Sequence, residues 1–472
     1  MRLTLQTRRR GDTETRRKLL SPRLCPQQRG SVLIIVMWVA FGLVSTALYF
    51  AHSMMFELRA SDNRVASLEA EQGIEGAARY VNYVLTNYGT NGAVPDPTSY
   101  QREAVALGQA RFWLIGRGAH PATPTEPAYR LTDEASKLNL NTATTNMLAA
   151  LPHMTPQLAA AILDWRDVDS NVSQGGAESE TYNRLQPPYN CKNAPFESVE
   201  ELRLVYGMTL DILYGEDFNL NGVLDGNEND GSLSPPEDNR DGRLDPGIVE
   251  YVTVSSRQPN TTRTNVNTVA QLRPLLQQAF GAARTGQILA SAGLIAAGGN
   301  GPGRPPSTPA TLRSVLEFYI KSGMTVDEFA QIAGRISASS SNSIPGLVNV
   351  NTASPEVLAC IPGIGTDNAP ALAAYRQTNP DKATSIAWVK DVLPVASAIQ
   401  AGPYLTAESY QFTADIAAVG HHGRGYSRVR FIFDTSEGTP KIRYRQDLTR
   451  LGWALGVTTR QRLLLAQETR TR

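Results

Sequence analysis

The stretch "GSVLIIVMWVAFGLVSTALYFAH" (30–52) decides how this chain is read. Residues 31–51 carry no charge, and as a helix they reach about 31 Å, enough to cross a bilayer core. Nine Lys/Arg precede them (Arg2, Arg8, Arg9, Arg10, Arg16, Arg17, Lys18, Arg23, Arg29) against Asp12 and Glu14. The first thirty residues are thus +7 in a chain whose total is +1, so the remainder carries −6. Basic flanks stay in the cytoplasm, which orients a single span with the body outside the inner membrane. Ala51-His52-Ser53 loosely fits a signal-peptide cut, and a plain anchor fits as well. The helical pattern does not stop at the span. Leu68, Ile74, Ala78, Val81, Leu85 and Tyr88 keep near-helical spacing with charges between them and no proline from 56 to 88.

Working outward, three segments echo one another: "LNLNTATTNMLAALPHMTPQLAAAILDWRD" (138–167), "TNVNTVAQLRPLLQQAFGAARTGQILA" (264–290) and "VNVNTASPEVLACIPGIGTDNAPALAAYR" (348–376). Each opens with N-x-N-T ahead of a helical pattern, where Asn and Thr side chains can accept from the free first-turn amides. The first and third continue through a turn into a second helix. Together they read as helix-hairpin-helix units, with "IPGIG" (361–365) as the turn and Pro362, Gly363 and Gly365 its key residues. Such turns often present amides to a nucleic-acid phosphate. Here the first copy has Pro152-His153-Met154-Thr155 in place of glycines. The third carries Asp367 and no Lys or Arg between Gly365 and Tyr375. The mildly acidic body also disfavours nucleic acid as a partner, so the hairpins read as packing units.

Strand patterns flank the helical middle. "ARFWLIGRG" (110–118) and "AYRLTDEASKLNLN" (128–141) come before it; "QFTADIAAVG" (411–420), "YSRVRFIFDT" (426–435) and "PKIRYRQDL" (440–448) come after. This arrangement predicts an α+β fold: a long amino-terminal helix on a small antiparallel sheet, with a large helical domain inserted into it. The expected organisation is 1–30 leader, 31–52 span, 53–92 amphipathic continuation, 93–137 first part of the sheet, 138–400 helical insert, and 401–472 closing strands and tail. "GGNGPGRPPSTPAT" (298–311) and "SASSSNSIPG" (337–346) read as loops.

The amino terminus resembles that of type IV pilin-like proteins, cut by a prepilin peptidase after a glycine ahead of the apolar helix. That resemblance puts the cut after Gly30 and makes Ser31 the mature terminus. Most such proteins carry Glu as the fifth residue of the cut chain; here that position is Ile35. "AAAILDWRDVD" (159–169), "YNRLQPPYNCKNAPFESVEELRLVYGMT" (182–209) and "IVEYVTVSS" (248–256) follow in order. With the N-x-N-T hairpins they resemble the minor pseudopilin K family of type II secretion, whose atypical member lacks the Glu. The resemblance implies a tip position in the pseudopilus, partnership with minor pseudopilins I and J and other pseudopilus subunits, and calcium in the helical domain.

"DFNLNGVLDGNE" (217–228) fits a twelve-residue calcium loop. Asp217, Asn219 and Asn221 supply oxygens at alternate positions, Gly222 the turn, Val223 a carbonyl, Asp225 the ninth ligand and Glu228 the twelfth. A solvated Asx-rich turn is the plainer alternative. "EDNRDGRLDPGI" (237–248) is a degenerate second loop through Glu237, Asn239, Asp241 and Asp245, with Ile248 at its twelfth position and Glu250 beyond. Over 217–250, nine acids face two arginines, a density that repels itself unless screened. Glu178 and Glu180 are weaker ligand candidates. His421-His422 lacks spaced partners for a metal. Cys191 and Cys360 leave a disulfide open, and Cys25 lies in the leader. No nucleophile–base pair or phosphate loop is present, so the expectation is a structural protein rather than an enzyme. The rival functions are a pilin-like DNA-uptake protein using its hairpins and a calcium-dependent adhesin on a plain anchor.

Overall fold

The structure, a computed structural model, describes residues 31–117, 126–295 and 310–471. The basic leader with Gly30, and most of the 298–311 stretch, lie outside them.

Helix α1 (Ser31–Tyr88) is continuous over 58 residues. Its large apolar side chains from Val32 to Phe56 are exposed. Among the described residues it is the one helix long and apolar enough to cross a membrane. Further along, a face made of Ala66, Ala70, Ile74, Ala77, Ala78, Val81, Val84 and Leu85 is buried. Leu68 and Tyr88, expected on that face, are exposed instead. Close approach to the sheet selects small residues. A Cβ on Gly73 would already lie 3.3 Å from the Ala418 Cβ, so the buried stripe follows the alanines rather than Leu68.

The sheet under this face has seven strands: β1 (Val105–Leu107), β2 (Ala110–Gly116), β3 (Ala128–Tyr129), β4 (Thr132–Asp133), β5 (Gln411–Val419), β6 (Tyr426–Asp434) and β7 (Lys441–Asp447). The order is β1-β2-β5-β6-β7, with β3 on β2 and β4 on β5, all antiparallel. All nine residues of β5 are buried, so the central strand is covered on both faces. Phe412, Ala414, Ile416 and Ala418 face α1, in one core with Phe112, Leu114, Phe431 and Phe433. The alternate residues Thr413 and Asp415 look the other way, towards the insert. The 128–141 stretch, expected as continuous strand, is broken by a turn of 3-10 helix at Glu134–Ser136 that Asp133 caps.

Between β4 and β5 the chain builds three copies of one unit. Residues 138–139 pair in parallel with 252–253, 264–265 with 336–337, and 348–349 with 405–406. The first Asn of each N-x-N-T accepts from the amide two residues on: Asn139 from Asn141 (2.9 Å), Asn265 from Asn267 (2.8 Å) and Asn349 from Asn351 (3.0 Å). The second Asn ties down a later segment. Asn141 exchanges two bonds with the Phe196 backbone, Asn267 does the same with Leu312, and Asn351 accepts from the Trp388 indole. Asparagine suits both jobs, because one amide donates and accepts at once. The repeat is therefore longer than the hairpins alone, and the third copy runs past residue 400 to its closing strand at 405–406.

The first hairpin is α2 (Thr145–Ala149) and α3 (Pro156–Arg166), capped by Thr144 and Thr155. In the second copy both halves belong to α4 (Val269–Ser291), kinked at Gly281 with φ +78°. The third is α5 (Pro355–Ala359) and α6 (Gly365–Thr378). One apolar core, from Leu138 to Leu405, serves all three. Helix α7 (Val395–Ala401) closes the third unit, and α8 (Gly456–Thr471) forms the carboxy-terminal end.

Candidate functional site

Three features bear on function: the apolar start of α1, the hairpin turns, and two groups of carboxylates in the first unit. Ile35 lies on α1 with its side chain exposed among Val32, Leu33, Ile34 and Val36. The first carboxylate along α1 is Glu57.

The third hairpin turn does not face outward as a phosphate site would. A Cβ on Gly363 (φ +89°) would lie 2.6 Å from the Ser397 carbonyl and 2.9 Å from the Gln400 Cβ. That close seat on α7 requires glycine at Gly363. Ile361 and Ile364 beside it are buried, with Pro362 and Gly365 partly so. In the first copy, His153 (φ +59°) holds the turn and its Nε2 lies 3.0 Å from Asp245. The third turn packs against its own protein, whereas His153 in the first is exposed.

The 217–228 loop closes on itself. Asp217 accepts from the amides of Asn221 (2.9 Å) and Gly222 (2.9 Å). Asn219 accepts from Asn221, and Asn221 from Val223 (2.6 Å). Glu228 accepts from Phe218 (3.0 Å) and Asp225 (2.9 Å). Asp217 and Glu228 are buried, as is Val223. Burial, with Asp217 and Asp225 adding to it, pushes the Glu228 carboxyl up to about 8. Burial also raises Asp217, against the pull of Arg117. Buried carboxylates held this close fit a divalent cation, and each oxygen keeps a lone pair beyond its amide bond.

The second loop departs from its expected form. Asp238, not Glu237, turns inward and accepts from Asp230 (2.8 Å), Gly231 (2.7 Å) and Arg240 (2.8 Å). Glu237, Asn239 and Asp241 are exposed, and Asp245 is engaged by His153. Acceptance from Asn239 and Asp245 falls to Glu216, a residue outside the motif.

A second carboxylate group lies behind α3. Glu178 is 3% exposed, and neither of its carboxylate oxygens has a well-formed hydrogen bond, although the Ser179 amide, the Asn193 side chain and the Cys191 thiol lie close to them. Asp167 Oδ1 and Asn193 Oδ1 are likewise buried without a well-formed bond. Asp164, fully buried, accepts from Ser173 N at 3.1 and 3.3 Å. Burial first, then the charges of Asp164 and Asp167, raises Glu178. Buried oxygens left poorly bonded cost several kcal/mol unless something polar fills the space, and hard oxygens of this kind fit calcium. Glu180 points elsewhere, pairing with Arg184. Among the described residues, no three His, Cys, Asp or Glu side chains form a group that could hold a metal ion. Reading the sequence missed Asp164, Asp167 and Asn193. The usable signal was "DWRDVD" followed by "GGAE", where a Cβ on Gly176 would fall 2.1 Å from Asp164 Oδ2. Cys191 and Cys360 are both free, buried thiols.

The family model for the type II secretion system (T2SS) protein K matches residues 127–214. That segment is similar to the protein K family. All four pocket residues lie inside that match, and the 217–228 loop lies just past its end. Over 211 residues the chain is 28% identical to the type II secretion system protein K of Aeromonas hydrophila, covering 39% of this chain and 60% of the relative. The protein K of Klebsiella pneumoniae is 43% identical over 61 residues (13% and 19%). That of Pectobacterium carotovorum subsp. carotovorum is 39% identical over 56 (12% and 17%). The chain thus matches less than two thirds of each relative's length. The solved GspK-GspI-GspJ complex from enterotoxigenic Escherichia coli aligns over 80% of this chain and 96% of its own at 14% identity. Its TM-score of 0.36 is too loose a superposition to fix fold or partner. The resemblance to protein K drawn from the sequence is borne out by the domain match and the relatives.

Proposed function

We propose that this chain is a minor pseudopilin of type II secretion: a structural, non-enzymatic subunit tethered in the inner membrane through α1 and seated at the pseudopilus tip. Its amino terminus is cytoplasmic, and its strand layer and insert are periplasmic. The observation that carries the reading is a segment similar to protein K set inside a frame of one long, half-apolar helix on an antiparallel sheet. Prepilin peptidase cuts after Gly30, and minor pseudopilins I and J are the neighbours. Ile35 suits a subunit with none above it, since a carboxylate there would lack a partner in the membrane. The insert blocks further addition. The seating of Gly363 on α7 argues against the DNA-uptake reading.

The test is expression of the full chain with a prepilin peptidase and pseudopilins I and J. Mass spectrometry should find Ser31 as the first residue, and crosslinks should join α1 to those subunits. An intact leader with no crosslink would sink the reading.

The insert also holds calcium-type cations, supported by the poorly bonded buried oxygens of Glu178, Asp167 and Asn193 and by the buried carboxylates of the 217–228 loop.

A further inference from the structure

The insert and the strand layer have separate apolar cores. The cluster from Leu138 to Leu405 shares no residue with the two clusters on the faces of the sheet. What joins them is polar, and two cavities of about 30 and 210 Å³ lie along the seam, both touching Lys137, Thr413 and Arg430. The chain crosses the seam twice, at 133–138 and at 407–411.

One contact in this seam differs from the rest. Arg428 on β6 is fully buried and pairs with Asp415 on β5 through two bonds of 2.8 Å. Its remaining donors reach the carbonyls of Asn219 and Leu220 (2.7 Å to Leu220) in the acidic loop. Arg117, just past β2, donates to the Leu220 carbonyl (3.2 Å) and to Glu250 (2.5 Å), and lies 3.6 Å from Asp217. Asn219 donates to the Trp453 carbonyl at 3.3 Å. Three segments of the strand layer therefore hold a single stretch, residues 217–220.

We propose that this stretch is a latch: two arginines of the strand layer grip loop carbonyls and fix the insert's orientation, and release lets the insert swing about its two chain crossings. Other polar ties cross the same seam, Arg257 with Asp434 and Glu200 with Tyr444 and Gln446, so the latch acts together with them. The gripped carbonyls belong to the loop whose side-chain oxygens would surround a cation, so loop occupancy sets the latch. That last clause alone rests on the cation reading.

The test is hydrogen exchange by mass spectrometry on the full chain in detergent micelles. Arg117→Met weakens the grip while keeping the Arg428–Asp415 pair; Arg428→Met removes more. Either should speed exchange at least tenfold in seam peptides around Leu220, Arg428 and Trp453, with α1 residues 66–85 and hairpin residues 348–376 unchanged. Seam exchange unchanged in both variants, or faster exchange everywhere in Arg117→Met, would overturn the latch. Chelating calcium from the wild type should reproduce the seam pattern. If native mass spectrometry shows bound calcium lost on Glu228→Gln while chelation leaves the seam unchanged, calcium control of the latch is wrong. If no calcium binds at all, the cation reading fails, and the arginine variants still decide the latch.

Discussion

The strand layer and the helical insert treat buried charge in opposite ways. In the strand layer the buried carboxylates Asp415 and Asp434 each have an arginine beside them. Burial acts to raise Asp415, but Arg428 and Arg430 outweigh it and hold it below the usual carboxylate range. Asp434, despite burial, sits at about 2 through its Ser436, Gln411 and Arg257 bonds. In the insert's first unit the carboxylates are bunched instead, and burial drives Glu178 and Glu228 upward. The difference is that Asp415 and Asp434 in the strand layer are charge-paired as folded, whereas burial and neighbouring carboxylates raise Glu178 and Glu228 in the insert.

The largest test of that contrast is Arg428→Met. Breaking a buried pair by removing one partner costs about 3–5 kcal/mol. Chemical denaturation should show that loss, and adding Asp415→Leu should restore much of it. A single-variant loss under about 1 kcal/mol would mean the pair is not what holds the layer.

Next come Leu148→Ala and Leu358→Ala, fully buried at matching places in the first and third hairpins. Each should cost about 2–5 kcal/mol. Because both sit in the one insert core, exchange should quicken across the insert while residues 66–85 keep their protection. Equal loss in α1 would erase the distinction between the two bodies.

Calcium removal is smaller. At a hundred times its dissociation constant a ligand stabilises by about 2.7 kcal/mol. Chelation should lower the insert's melting transition and leave that of the strand layer in place.

The smallest effect concerns Asp133 at the seam. It accepts from Thr352 (2.6 Å), Ser409 (2.6 Å) and Asn349 (3.2 Å), and burial pushes it up to about 6. The folded state therefore takes up a proton before the unfolded chain does. Its contribution is complete below the ordinary carboxylate range and is lost as pH climbs through about 6. Melting from pH 5 to 7 should show that decline, and Asp133→Asn should flatten it.

Much of the frame was legible in the sequence. The uncharged run from Ser31, the alternation in β6 and β7, and the N-x-N-T repeats all follow from local periodicity and capping chemistry. The turn at 217–228 was legible as a turn, because its Asx oxygens recur at fixed offsets and close on the loop's own amides. The Glu178 group was not, since Asp164 and Asp167 end α3 while Glu178 and Asn193 come from later turns and meet them only through packing. Arg428 and Arg117 were equally hidden. In "YSRVRFIFDT" (426–435) nothing in the pattern marks Arg428 as buried. Only the fold shows it fully buried, with Asp415 and two loop carbonyls around it. The buried stripe of α1 was misread at Leu68 because periodicity finds apolar faces and is blind to how closely a sheet approaches.

The most direct test is native mass spectrometry of the full chain released from detergent micelles after equilibration with millimolar calcium. The account predicts bound calcium in the wild type and at least one ion fewer in Glu178→Gln. A wild-type chain that carries no calcium, or a variant that carries as much as the wild type, would contradict it.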